Sequence, residues 1–505
     1  VGCGGSPPPI PSRGPLVIAL RDTPIRLDPR VATDQASSRV LELALSGLVT
    51  KDPVGNFLPD LATSWEVFDE GTRYRFHLRP GVTFHDGRSM TSADVVWTFG
   101  SILDGTVTTP KKGALPRLQQ VIAVDPLTVD FLLDQPFGAM LADLTSYMGI
   151  IPAGSTPEEN DHRLIGTGPF RVVDRQPDRV SLEAFEGYWR GRPPMDEVLI
   201  RTVPDATVRA LELRKGSVHL VVNDLAPDVV VAFQKDPRFR VVSDPGSNYA
   251  YMGINFEDPL LARLEVRRAM AMAIDRDLLV ESLWRGMAQV TATMLRPGNW
   301  AYTEISPLPH DPAAARALLD EAGLTDPDGA GPRPRFRLTY KTSTAEIYTL
   351  QAQIIQSMLA EVGIGVEIRS HEFATFYNDI KNGNFQIFTL VWNGIIDPNI
   401  YALTLHSERA PPNGANRGRY SNPEFDRLVD AGAIPADPAE RRPYYVAAQE
   451  IFARDLPYIS LYLNDNIAVM PVTLEGYRNY SVGELYSVRE MSWPSAGAPR
   501  AEEGP

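Results

Sequence analysis

A single cysteine in 505 residues excludes an intramolecular disulfide and any zinc cluster built on cysteine. No apolar run approaches the roughly 18 residues that a transmembrane helix needs. Basic residues are in deficit, with 49 Lys and Arg against 63 Asp and Glu and a formal charge of −14. That balance opposes a polynucleotide partner, because such binding rests on clustered cations releasing counterions. It says nothing against a small ligand, since one pocket can carry either sign. Motifs of covalent chemistry are missing too: there is no GxSxG, no GxxxxGK[ST] and no HExxH. His371-Glu372 has no second histidine behind it, and Gly166-Thr167-Gly168 runs into Pro169-Phe170 where a dinucleotide loop needs a third glycine.

What is present is ordinary globular composition, 43% hydrophobic and 22% charged. The length suits about three domain-sized units, each able to bury a core. Leu16 to Leu20 reads as a buried strand, and residues 37–48 have helical spacing behind the cap candidate Asp34. Tyr74, Phe76 and Leu78 alternate with Arg73, Arg75, His77 and Arg79, as in a strand with one wet face. Phe84-His85-Asp86-Gly87 is a turn, Thr91 to Asp94 caps a helix to about Leu103, and 121–133 reads as a hairpin. His77 and His85 read as structural. Residues 264–284 carry apolar positions at three and four, predicting one long helix with a solvated Arg and Asp side and core-filling Met residues. Asp311-Pro312 and Asp437-Pro438 start two more helices, residues 344–362 form a helix feeding a strand at 366–368, and 457–469 is β-prone.

Val1-Gly2-Cys3 resembles the end of a bacterial lipoprotein signal, in which a small residue precedes a cysteine that receives diacylglycerol. Residues 4–15, GGSPPPIPSRGP, suit a flexible tether. Membrane contact is expected through Cys3; the alternative is a disordered end with an accidental cysteine.

Several stretches carry a wider resemblance. They are Leu27-Asp28-Pro29; LPDLATSWEVFDEGTRYRFHLRPGVTFHDGRSMTSADVVWTF at 58–99; IGTGPF at 165–170; GYWRGRP at 187–193; VRRAMAMAIDRDLLV at 266–280; HDPAAARALLDEAG at 310–323; and NRGRYSNPEFDRL at 416–428. In this order the chain resembles, over about residues 16–490, the extracytoplasmic solute-binding proteins of peptide, dipeptide and nickel ABC importers (family 5).

The resemblance implies an α/β, two-lobed periplasmic-binding-protein fold with a ligand cleft between the lobes and an extra α+β subdomain on the first. The corresponding division is 1–15 tether; 16–47, 166–250 and 464–493 lobe I; 48–165 inserted subdomain; 251–463 lobe II; and 494–505 a disordered tail. Crossings between lobes are expected near Tyr249 to Asn255 and Tyr458 to Asp465. The implied function is capture of a peptide or similarly sized solute for delivery to a membrane permease with a cytoplasmic ATPase. The protein is expected to be a monomer in the bacterial cell envelope, in the periplasm or on the outer face of the cytoplasmic membrane. No catalytic residue, metal or other cofactor is expected. The alternatives are an envelope receptor or chaperone-like protein on the same scaffold, and a hydrolase whose carboxylate pair is invisible in sequence.

Within the resemblance, Trp392-Asn393-Gly394-Ile395-Ile396 matches the cleft segment of the second lobe. Trp392 is expected to cover the ligand, with a core position as the alternative, and the peptide groups of Asn393 and Gly394 to pair with an extended ligand. Tyr249 is a second aromatic wall candidate. Lys341 and Arg417 are candidates to hold a ligand anion, against the ordinary solvated role of such residues. Asp397, before Pro398, reads as a helix cap. Peptide-binding relatives carry an acidic residue three positions after this tryptophan, where it meets the ligand's amine; here that residue is Ile395. Nickel-type relatives carry a tyrosine where this chain has Ile396. The expected ligand therefore has an apolar or blocked end packed against Ile395 and Ile396.

Overall fold

The computed structural model describes residues 14–494 apart from 116, 330 and 413, so Cys3, nearly all of the tether and the tail beyond 494 lie outside the described residues. The chain divides into two units, Val1–Asp244 with Asn466–Pro505, and Pro245–Asp465. Both divisions fall inside strands, Phe239–Ile254 and Tyr458–Pro471.

In the first unit Leu16–Leu20 lies inside a mixed sheet. It pairs in parallel with Glu197–Thr202 on one side and Leu220–Val222 on the other; Arg179–Ala184 and Phe170–Gln176 extend the sheet antiparallel. All of Leu16–Leu20 is buried, as a parallel strand covered on both faces requires. Helix Gln35–Ala44 follows behind Asp34, whose side chain accepts from Ser37 N at 2.7 Å. It ends at Leu45, short of the expected residue 48, where the backbone turns extended.

Residues 62–133 carry a separate antiparallel sheet, in the spatial order Ala62–Phe68, Arg73–Leu78, Thr128–Leu133, Leu118–Asp125. Tyr74, Phe76 and Leu78 are buried and the residues between them are not. Helix Ser92–Leu103 starts in a reciprocal capping box between Thr91 and Asp94. Asp28 and Arg30 form a fully buried ion pair at 2.7 Å; Asp28 also accepts from Asn160, and Arg30 donates to Ser101.

Residues beyond Asn466 complete the first unit. Ala468 and Val469 pair with Val222 and Val221, and Met470, Leu474, Leu485, Val488 and Met491 share a core with Leu16 and Ile18. Glu42 accepts the Leu485 N–H at 2.8 Å, and Lys51 is ion-paired to Glu484 in a buried site.

The second unit has a sheet in which Phe336–Ser343 runs parallel to both Ile364–His371 and Ile387–Trp392, and the latter pairs antiparallel with Tyr249 to Ile254. Helix Glu346–Glu361 is the crossover between two of these parallel strands. Helices Pro312–Glu321 and Pro438–Asp455 start after Asp311 and Asp437, each of which caps a backbone N–H.

The single helix expected over 264–284 is broken. Leu264–Ala273 ends at the extended Ile274, and Asp275 accepts from Leu278 N at 2.9 Å to start Arg276–Leu279, which runs into a π turn at Val280–Trp284. A capping carboxylate competes with helix continuation at that point. Nor is the arginine side solvated. Arg267 and Arg276 are 5% and 6% exposed, and both fill their forks with backbone carbonyls, Arg276 taking those of Ala271, Ile274, Leu308 and Ser460. Met270 is fully buried core.

Two of the sequence stretches meet in one joint of the first unit. The Gly166 N–H donates to His85 Nδ1 at 3.2 Å, which leaves the proton on Nε2 to donate to Gly168 O at 3.1 Å. A Cβ on Gly166 or Gly168 would sit 2.2 or 2.4 Å from the Ala44 peptide, so the glycines are required by close backbone approach. Burial lowers the His85 pKa from 6.5 to about 4. The unfolded chain then binds more protons within that window, and the contribution present above pH 6.5 is lost as pH falls toward 4. From His85 alone, stability should drop by about 1.4 kcal/mol per pH unit there. Urea unfolding between pH 7 and pH 4.5 measures it. His85→Gln, which can accept and donate at the same two points, should flatten the dependence; an unchanged slope would place the effect elsewhere.

Candidate ligand-binding site

Strand Ile387–Trp392 is buried at its start and only partly buried over Leu390, Val391 and Trp392, so the tryptophan marks where the strand leaves the core. Trp392 faces Tyr249 across the ladder. The chain then turns sharply. Asn393 is exposed, and Gly394 takes φ +70°, a conformation that favours glycine. The Gly394 N–H donates to Asn248 Oδ1 at 3.0 Å, the Ile395 N–H to Ser247 O at 3.0 Å, and Asn299 Nδ2 to Ile396 O at 2.8 Å. The Gly394 amide expected to pair with a ligand is thus already bound within the unit. Ile395 is 4% exposed and packs among Phe376, Tyr401 and Tyr458. It is core in this structure, which leaves Ile396, partly buried, as the accessible one of the two isoleucines.

Asp397 is not the helix cap that was expected, since Asn399 holds that position before helix Ile400–Leu405. The Asp397 Oδ1 accepts from Asn399 N at 2.8 Å, and its two oxygens take the fork of Arg441 at 2.9 Å each. Arg441 lies between the rings of Trp300 and Tyr445, at 4.9 and 5.4 Å, and donates from Nε to Gly432 O. Asp397 raises the Arg441 pKa against the lowering effect of burial, so the guanidinium stays charged. The following helix begins only at Ile400.

The other candidates separate by partner. Tyr249 is fully buried, its hydroxyl 2.6 Å from Ser460 Oγ, so it is an inner support and not a wall. Lys341 is buried and paired with Asp379 at 2.6 Å. That hydrogen bond holds the Asp379 carboxyl below its ordinary range. Arg417, 5% exposed, has no carboxylate at ion-pair distance among the described residues. Its guanidinium lies 4.6 Å over Trp392 and 5.1 Å over Tyr377, and it donates to the hydroxyls of Tyr251 at 3.2 Å and Tyr377 at 2.9 Å. Asn416 fixes the turn that presents it, donating to Tyr420 O at 2.7 Å and accepting from Tyr420 N at 3.1 Å.

These contacts continue into a stack. Phe373, 55% exposed, lies parallel to Tyr377 at 5.7 Å; below Arg417 come Trp392, Tyr251 at 6.4 Å and Tyr458 at 4.2 Å from Tyr251. Tyr251, Tyr458, Phe373 and Tyr377 were not among the site residues expected from the sequence. The first could have been found from its spacing of two from Tyr249, and the last pair from their spacing of four on helix Phe373–Lys381.

Comparison with known proteins adds a third line. Residues 56–411 match the family described as bacterial extracellular solute-binding proteins, family 5 middle. Heme-binding protein A of Haemophilus influenzae is 30% identical over 448 residues, spanning 83% of this chain and 81% of that protein. The dipeptide-binding protein of Escherichia coli is 28% identical over 477 residues, 88% of each. The solved structure of HbpA2 from Haemophilus parasuis superposes with a TM-score of 0.85 at 24% identity, covering 95% of this chain and all of that one, 100%; its two-lobed α/β fold is the fold of this chain.

Removing the Asp397 carboxylate would strand the Arg441 charge in a dry site. Asp397→Ala should therefore cost about 3–5 kcal/mol of stability. The double change of Asp397→Leu with Arg441→Met should cost much less, because no charge is left unpaired. Denaturant titration of the three proteins checks this ordering, which equal losses in the single and double variants would contradict.

Proposed function

The chain belongs to the bacterial extracellular solute-binding proteins of family 5, and on that premise we propose that it is the substrate-binding component of an ABC importer. It captures a peptide or a solute of similar size and delivers it to a membrane permease driven by a cytoplasmic ATPase. One observation carries the ligand side of this reading: the part-exposed stack of Phe373, Tyr377, Arg417 and Trp392 lies at the carboxyl end of strand Ile387–Trp392. Ligands of open α/β sheets bind outside strand carboxyl ends, and aromatic rings with polar edges supply contact area at low entropy cost. Trp392, Asn393, Ile396 and Arg417 are the contacts we assign; Gly394, Ile395, Lys341 and Tyr249 hold them in place. The names of the relatives, a dipeptide binder and a heme binder, support small-solute capture. No observation favours the receptor or chaperone-like alternative.

Members of the family act outside the cytoplasm. We propose that this chain is a monomer held to the outer face of a bacterial membrane by a lipid on Cys3. Metabolic labelling with an alkyne fatty acid should mark the protein and fail for Cys3→Ser.

Incubation of the ligand-free protein with a peptide mixture, followed by native mass spectrometry, should give saturable complexes and unchanged peptides. A product accumulating with time would instead support a hydrolase. With Ile395 in the core and no carboxylate three residues past Trp392, an ammonium end has no counter-charge there. The free-amine form of one bound peptide should therefore bind less than tenfold more tightly than its N-acetylated form, about 1.4 kcal/mol; a larger preference for the free amine would refute this.

A further inference from the structure

Gly14 enters the first unit beside the end of one helix. Its carbonyl accepts from Trp493 Nε1 at 3.3 Å, Trp493 lies edge-on to His219 at 5.0 Å, and His219 Nδ1 accepts the Val17 N–H at 3.0 Å. Three residues before His219 stands Gly216, whose φ of +75° closes helix Ala206–Lys215. That helix is the crossover between strands Glu197–Thr202 and Leu220–Val222, both parallel to Leu16–Leu20. It therefore runs back against the strands and brings its carboxyl end to the sheet edge where Gly14 arrives. The outer side of the helix carries Val208, 44% exposed, and Leu211, 47% exposed, and its last turn exposes Arg214 and Lys215. Positions 208, 211 and 215 fall on one stripe. Neither cation has a carboxylate at ion-pair distance among the described residues. The acids that act on them are engaged elsewhere, Glu212 by Arg201 at 3.2 Å and Asp236 by Arg238 at 2.7 Å.

We propose that this stripe is a membrane-facing surface, on which Arg214 and Lys215 meet the phosphates of anionic phospholipids while Val208 and Leu211 press against the acyl boundary. The proposal rests on the lipid-anchor reading above and deepens it. Residues 3 to 14 can span at most about 40 Å along any path, so a lipid on Cys3 holds this edge of the sheet close to the bilayer. Apolar residues on one side of a helix with cations at its border are the features of a helix that lies in the membrane interface. Long basic side chains can lay their stems on apolar surface and keep the charge among the headgroups. The chain as a whole carries −14, and an anionic bilayer repels most of it. Two unpaired cations beside the tether then decide which side is turned toward the lipid. A weak contact suffices, because the tether fixes a high effective concentration of bilayer at this surface.

The test exploits the single cysteine. The full chain is coupled through Cys3 to a maleimide phospholipid in vesicles of phosphatidylcholine, either alone or with about a third phosphatidylglycerol, so the result does not depend on lipidation in the cell. Pulsed lysine acylation and hydroxyl-radical oxidation, read by mass spectrometry, report on Lys215 and Leu211. Both should react at least about threefold more slowly on the anionic vesicles than on the neutral ones, while the exposed Lys381 of the second unit keeps its rate. Salt at about 0.5 M should remove the difference. Arg214→Glu with Lys215→Glu should abolish the protection of Leu211, and Leu211→Ser should weaken that of Lys215. Equal rates on the two vesicles, equal slowing at Lys381, or protection of Leu211 that survives the charge reversal would overturn the proposal while leaving the lipid anchor intact. Loss of the anchor reading would show separately, as absence of the fatty-acid label at Cys3. Should the charge-reversed protein not fold, the two vesicle types compared on the unaltered chain decide.

Discussion

Arg441 reaches both oxygens of Asp397 at 2.9 Å in a site walled by Trp300 and Tyr445, and the geometry of the turn beyond Trp392 follows from that pair. A bidentate fork fixes orientation as well as distance. The chain enters the turn from a strand laddered to Tyr249 and leaves it at a carboxylate that cannot move without exposing a buried charge. Between these two ends the bonds of Gly394 to Asn248, Ile395 to Ser247 and Asn299 to Ile396 leave little freedom. Trp392 is therefore presented by a rigid frame, with Arg417 held against its face from a different part of the unit.

The same rule about buried charge explains the interruption at Asp275. A continuous helix through that point would consume the carbonyls of Ala271 and Ile274. The break frees them, and Arg276 takes them. Helix continuity and the satisfaction of a desolvated guanidinium are alternatives here, and the second prevails because an unpaired cation costs more than one broken turn.

Local signals were legible in the sequence. Asp34, Thr91 with Asp94, Asp311 and Asp437 cap the helices they were expected to cap, because a cap is decided within four residues. The alternation over Arg73–Leu78 is visible for the same reason. Asp275 was missed because apolar periodicity runs on through it, and only the carboxylate's own bond reveals the stop. Lys341 and Arg417 look alike as letters, and what separates them is Asp379, 38 positions from one and with no counterpart near the other. Ile395 was expected against the ligand because the resemblance places it in the cleft segment; its backbone is fixed by Ser247, some 150 positions earlier. The stack of Phe373, Tyr377, Arg417, Trp392 and Tyr251 is assembled from four separate segments, which no local pattern can join.

The core that joins Leu16 and Ile18 to Leu485, Val488 and Met491 also imposes an order in time. Pro245–Asp465 is one unbroken stretch of chain, so every side chain it needs has been made once residue 465 leaves the ribosome. The first unit must wait for the strand residues Ala468 and Val469, for Glu484 to meet Lys51, and for the last turn at Met491. Strand Leu220–Val222 thus stays without its partner at Ala468 and Val469 until the whole second unit has been made.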